Sequence, residues 1–360
     1  MADATGAVAD RKIAVMFVHG VEIRDPHFAK NATAMLKAAF TRHAGRAADD
    51  VLVIKPVYWA EDVEEIEDKL YRACFGAPAR KFFSMLSGWA TRIDAGHSLA
   101  VIPMLLAGAM RILPVPGARF PNYPMLRWVV TQYVGDAIAY QQSVNDRELY
   151  DRIHARFAEV MHDLAEEAGT DAPLCVISHS LGTVISSNYL YDLQVQHGGN
   201  GRRLIAPAVE ERIGSTPLEQ GRTLALFYTL GSPIPLWTMR FADFGRPLTV
   251  PSPLLEAHHP GMSGEWVNFY DPDDLVAHPL CGLSERYREQ VTEDRKVSVG
   301  PWWLGWTPFS HFSYWNDNAV IDPIARSLAR SWRELRHERG AGAGSARAGT
   351  GARVASPRRR

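Results

Sequence analysis

The sequence predicts an α/β fold: a mostly parallel sheet flanked by helices, interrupted by a helical insertion. Two observations predict it. Short continuous apolar runs rich in β-branched residues, IAVMFV at 13–18 and LCVI at 174–177, read as strands buried on both faces. Segments with apolar residues at helical spacing alternate with them; Leu149, Ile153, Phe157, Val160, Met161 and Leu164 form the clearest stripe. Strands that alternate with helices build a parallel sheet covered on both sides.

In chain order, the first strand ends at His19-Gly20, and a helical pattern follows from about Phe28 to His43. Residues 51–58, VLVIKPVY, read as a second strand in which Pro56 marks a bulge or early exit. Residues 61–145 break the rhythm with an acidic helix (Glu61 to Arg72), an apolar patch and the Pro-rich loop PVPGARFPNYP, and read as an insertion. The stripe from Leu149 stops at Gly169. After the strand at 174–177 comes a helix from about Gly182 to Gln196. Strands are then expected at 223–229, at 265–270 and, more weakly, at 296–299, and a closing helix from about Asn318 to Arg339. The folded unit is thus expected over 10–339. Residues 340–360, a run of Gly, Ala, Ser and Arg, are expected to be a disordered basic tail.

The composition narrows the function classes. An apolar share of 46%, a charged share of 22% and a net charge of −1 describe a globular protein with no broad electrostatic pull on nucleic acid. Three cysteines, Cys74, Cys175 and Cys281, lie in no C-x-x-C pair. An odd number argues against a disulfide framework, so a reducing, cytoplasmic setting is expected. Met1 to Lys12 has neither the basic nor the apolar region of a secretory signal. Leu99 to Met110 is too short to span a bilayer and is broken by Pro103.

The strongest local signal is Ser178-His179-Ser180-Leu181-Gly182, which follows a buried strand and opens a helix. A turn this tight requires small residues two before and two after its centre, here Ser178 and Gly182, and presents Ser180 as a nucleophile. The competing reading is a serine-rich helix cap. As the residue after the nucleophile, Leu181 offers its N–H to a developing oxyanion at a helix N-terminus. His19-Gly20-Val21 ends the first strand, and the Val21 N–H is the candidate second donor.

A serine hydroxyl needs a base, and the base needs a carboxylate. Asp271, Asp273 and Asp274 follow the strand at 265–270. Asp274 is favoured because the apolar pair Leu275-Val276 would pack its loop back on the core; Asp271 and Asp273 stay open. His311 is the candidate base. It lies after the last strand, among Trp302, Trp303, Trp306, Phe309, Phe312 and Trp315, which would exclude water. His258-His259 makes a poor metal site, since adjacent residues diverge and no spaced ligands accompany them.

Strand-HG, S-x-S-x-G, YTLGSP (228–233), DPDDLVA (271–277) and HFSYW (311–315) together resemble the α/β-hydrolase superfamily, closest to its lipase-like serine esterase branches. The resemblance covers roughly 12–60 and 145–335. It implies an eight-stranded, mostly parallel sheet whose first strands this chain lacks, and a serine esterase working without metal or cofactor. Gly231-Ser232 would then sit at the site mouth or form a structural turn. The expected substrate is a small-molecule or lipid ester. In the insertion, Leu99–Leu113 with Trp89, Met125 and Trp128 reads as helix packing, as a cap over an acyl pocket, or as a peripheral membrane contact. Two other functions stay open: acyl transfer at the same site, and a catalytically silent scaffold.

Overall fold

The computed structural model describes residues 11–21, 25–75, 135–141, 147–198, 202–301 and 308–348. Six strands form one sheet: β1 (Ile13–Val18), β2 (Leu52–Val57), β3 (Leu174–His179), β4 (Leu224–Leu230), β5 (Glu265–Tyr270) and β6 (Glu293–Lys296). Their spatial order is β2-β1-β3-β4-β5-β6, and every neighbouring pair is parallel. The eight strands implied by the resemblance are thus six among the described residues.

Strand alternation divides the core. Ala14, Met16 and Val18 of β1, with Leu174 and Val176 of β3, face Phe157, Met161 and Leu164 of α3 (Glu148–Ala168) and Ile185, Tyr189 and Leu193 of α4 (Leu181–His197). Their odd-numbered neighbours in β1 (Ile13, Val15, Phe17) and Cys175 and Ile177 of β3 face Leu36 and Phe40 of α1 (Lys30–Ala44) and Ile324, Leu328 and Trp332 of α5 (Asn318–Ala348). A strand with helices on both faces must be apolar throughout, which is why these strands read as unbroken runs. Burial also pushes the Cys175 thiol well up, as expected of an inert core cysteine.

Several boundaries differ from expectation. The last strand is Glu293–Lys296, a few residues before the predicted 296–299. As an edge strand reading EDRK it has no apolar alternation to betray it. Val297–Val299 is instead the loop that closes over β5: Val297 N–H donates to the Tyr270 carbonyl and Val299 N–H to Asp271 Oδ2. Pro56 neither bulges nor ends β2. It sits in register opposite Phe17 on the other edge strand, where a missing N–H is tolerated.

The closing helix runs to Ala348, beyond Gly340 where order was expected to end: elongating an established helix is far easier than starting one, and the alanines at 341, 343, 346 and 348 favour it against the glycines at 340, 342 and 344. Residues 349–360 lie outside the described part. So does most of the insertion, including Leu99–Leu113, Trp89, Met125 and Trp128. Its stem is α2 (Ala60–Phe75). Among the described residues no helix is long and apolar enough to cross a membrane.

Phe17, fully buried in β1, meets the edge of Trp315 at 5.2 Å between ring centroids. Phe17→Ala is expected to cost about 3–5 kcal/mol, read as a lower urea midpoint with an unchanged slope.

Candidate active site

The carboxyl ends of β1, β3, β4 and β5 converge on the turn between β3 and α4. Ser180 sits in that turn with φ 53° and ψ −130°, a left-handed conformation that L residues seldom adopt. Its N–H donates to the Leu230 carbonyl at 2.9 Å, which fixes the turn to the end of β4. The end of β1 presses against it from the other side. A Cβ at Gly182 would lie 2.3 Å from the His19 carbonyl oxygen, and one at Gly20 2.4 Å from Ser180 Cβ, so glycine is required at both.

Neither serine of the motif caps the helix through its side chain. Ser178 Oγ meets Ser186 Oγ at 2.7 Å, and Ser186 donates in turn to the Gly182 carbonyl. Ser180 Oγ lies 2.8 Å from His311 Nε2. His311 Nδ1 lies 2.7 Å from Asp274 Oδ2. With Nδ1–H donating to the carboxylate, Nε2 is the acceptor for the serine proton. All three side chains are buried.

The three candidate acids have separate environments. Asp274 Oδ1 accepts the Val276 N–H, and Oδ2 accepts from both His311 and the Tyr314 hydroxyl. Burial pushes its pKa up, but the bond and charge of His311, with Val276 and Tyr314, outweigh burial and hold it below the ordinary carboxylate value. Asp271 is equally buried but holds the loop: Oδ1 accepts the Asp273 N–H and Oδ2 the Val299 N–H. Asp273 is exposed.

Of the aromatics expected around His311, Phe312 meets its ring edge-on at 5.6 Å. Trp302, Trp303 and Trp306 lie outside the described residues, and Trp315 packs on His179 and Phe17. Val21 is buried immediately after Gly20. Leu181 is the first residue of α4, so its N–H has no intrahelical acceptor. His259 donates Nε2–H to the Asp171 carbonyl at 2.6 Å, and no metal-binding group of three His, Cys, Asp or Glu occurs among the described residues.

The contacts of three residues at the site, Tyr314, His179 and His19, had gone unread in the sequence. Tyr314 donates to Asp274 Oδ2 at 3.0 Å while accepting the Asp271 N–H at 2.8 Å, so one phenol spans two of the three aspartates. His179 Nε2–H donates to the His311 carbonyl at 2.7 Å. His19 stacks on Trp59 at 4.8 Å and 9°; its Nε2 accepts the Trp59 N–H, its Nδ1–H donates to the Gly20 carbonyl, and its own carbonyl accepts from Trp59 Nε1. Gly231, which the resemblance placed at the site mouth or in a structural turn, has φ 56° and backs onto the His311–Asp274 pair. The signals were present: one aromatic three residues beyond His311, one histidine beside Ser180, and one histidine ending the first strand.

The assembly can move a proton from Ser180 Oγ to an imidazole steadied by a buried carboxylate, away from bulk water. The chain matches no protein-family model, and no curated protein matches it in sequence.

A Cβ at Gly231 would stand 2.9 Å from Tyr314 Cε2, 3.1 Å from Asp274 Oδ2 and 3.2 Å from His311 Nδ1. Gly231→Ala is expected to destabilise by about 1–3 kcal/mol, from backbone strain plus displacement of the pair, as urea denaturation would read.

Acid sensitivity is a second expectation. Burial pushes His19 and His179 down to about 3, His311 assisting at His179, and holds His154 well below its ordinary 6.5. Each native pKa is depressed, so as pH falls from 6.5 toward 3 the unfolded chain takes up protons that the folded chain refuses. Stability is therefore fully present above pH 6.5 and is lost on acidification, with a slope approaching one proton per histidine. Urea midpoints measured from about pH 7 to pH 4 should decline steadily; a flat series would contradict the assignment.

Proposed function

We propose that this protein is a serine hydrolase of the α/β-hydrolase type that cleaves a carboxylic ester. The observation that carries the reading is the hydrogen-bonded series Ser180–His311–Asp274, at 2.8 and 2.7 Å, with the serine in a left-handed strand-to-helix turn. A serine cap does not need an imidazole on its hydroxyl, and a scaffold does not need a strained backbone at that residue.

In this reading Ser180 Oγ attacks the ester carbonyl as its proton passes to His311 Nε2. Asp274 stays ionised and stabilises the imidazolium. The N–H groups of Leu181 and Val21 receive the oxyanion. His311 then hands its proton to the departing alkoxide, leaving the acyl group on Ser180. A water molecule attacks the acyl-enzyme with His311 again as base, and collapse releases the acid and restores the serine.

An apolar acyl group suits the loop that leaves Gly231, which exposes Leu236, Met239, Phe241 and Phe244. A chain-length series of nitrophenyl esters would rank acyl groups directly.

Ser180→Ala is expected to lower kcat by roughly 10⁴–10⁶-fold, and His311→Ala comparably. A fluorophosphonate probe should label the native chain and spare Ser180→Ala. No labelling of the native, folded chain would turn the assignment toward a silent scaffold.

A further inference from the structure

Resting on the reading of Ser180 as nucleophile, we propose that His179 is a positioning residue for the base: it grips His311 by the main chain while its neighbour Ser180 meets His311 by the side chain. The two contacts, 2.7 Å from His179 Nε2 to the His311 carbonyl and 2.8 Å from Ser180 Oγ to His311 Nε2, come from consecutive residues at the end of β3. One residue is thereby held at both of its ends by one rigid strand terminus.

The need for such a grip follows from where His311 sits. It belongs to a short 3₁₀ turn, Pro308–Phe312, which lies on no strand of the sheet. A turn of that kind has few hydrogen bonds of its own. The β3 terminus, by contrast, is paired on both sides, to β1 and to β4. The His179 ring also contacts the next turn, at 5.7 Å from both Tyr314 and Trp315, and lies 4.8 Å from the His311 ring itself. Through this ring the segment carrying the base and the Tyr314 donor is pinned to the strand carrying the nucleophile.

A phenylalanine could supply the packing but not the bond. The buried His311 carbonyl needs a donor. Burial keeps His179 neutral near neutrality, so it can donate from Nε2 without placing a second cation beside the imidazolium that forms on His311. A misplacement of about 1 Å in a reacting pair costs on the order of 10²-fold in rate.

The test uses the full chain with two variants. His179→Phe keeps an aromatic volume and removes the donor; His179→Gln loses the ring but places an amide N–H where Nε2 stood. The expected result is a fall of about 10–100-fold in kcat for His179→Phe, with KM within about twofold and a urea midpoint lowered but leaving the variant folded under assay conditions, since the His311 carbonyl loses its donor, and substantial recovery of both kcat and midpoint in His179→Gln. Proton NMR supplies a readout independent of turnover. The low-field Nδ1–H resonance of His311, assigned by its loss in Asp274→Asn, should shift or broaden in His179→Phe and return in His179→Gln. Equal kcat in His179→Phe and the native chain, or Phe and Gln variants equally impaired, would overturn the proposal. If the native chain turns over no ester, the hydrolase reading fails, and the resonance alone still decides whether residue 179 holds residue 311.

Discussion

The site depends on a steric condition at the junction of β3 and α4. Ser180 turns sharply enough to leave its strand and begin a helix only because the backbone of β1 and the first turn of α4 approach to distances that no Cβ could share. Gly20 and Gly182 create that space. Once it exists, the rest is arranged around it: the end of β4 fixes the Ser180 N–H, the loop after β5 supplies the carboxylate, and the turn after β6 supplies the imidazole. The strain in one residue's φ is borne by a sheet whose central strands are apolar on both faces. A conformation costing on the order of 1–3 kcal/mol persists only where its surroundings over-determine it.

The charged part of the site meets a different constraint. Burying Asp274 and His311 together strips both of water, and attraction between them offsets that cost only when the remaining lone pairs are satisfied. The Val276 N–H and the Tyr314 hydroxyl satisfy them. Tyr314 in turn accepts from the Asp271 main chain, so the loop after β5 and the turn carrying His311 share a single phenol. The aspartate cluster is therefore a division of labour: Asp271 shapes the loop, Asp274 faces the imidazole, and Asp273 faces solvent.

The central strands, the helices between them and the tight turn at Ser180 were legible because each rests on local pattern. Unbroken apolar runs mark strands buried on both sides, as in β1 and β3, and the small residues around Ser180 mark a tight turn. What escaped was set by neighbours distant in sequence. β6 reads as a charged segment and becomes a strand only by pairing with β5. His179 and Tyr314 look like ordinary residues until the fold brings them to His311 and Asp274, more than thirty positions away. His19 could be seen ending a strand, but not stacking on Trp59. The apolar pair argued for Asp274 does not pack its loop on the core: Leu275 is 75% exposed and Val276 only half-buried, and Asp274 is held by the Val276 N–H, His311 and Tyr314. The roles of Asp271 and Tyr314 were not legible, because Asp271 binds the loop after β6 and Tyr314 lies beyond it.

The two borders of the sheet carry a consequence for encounters between molecules. On one side Pro56 supplies no N–H in either direction; on the other, EDRK presents four ionic side chains along the outermost strand. Neither rim offers the smooth apolar template that invites a foreign strand to add itself. A sheet this rich in valine, isoleucine and phenylalanine is guarded against lengthening into a shared ribbon at the places where it ends.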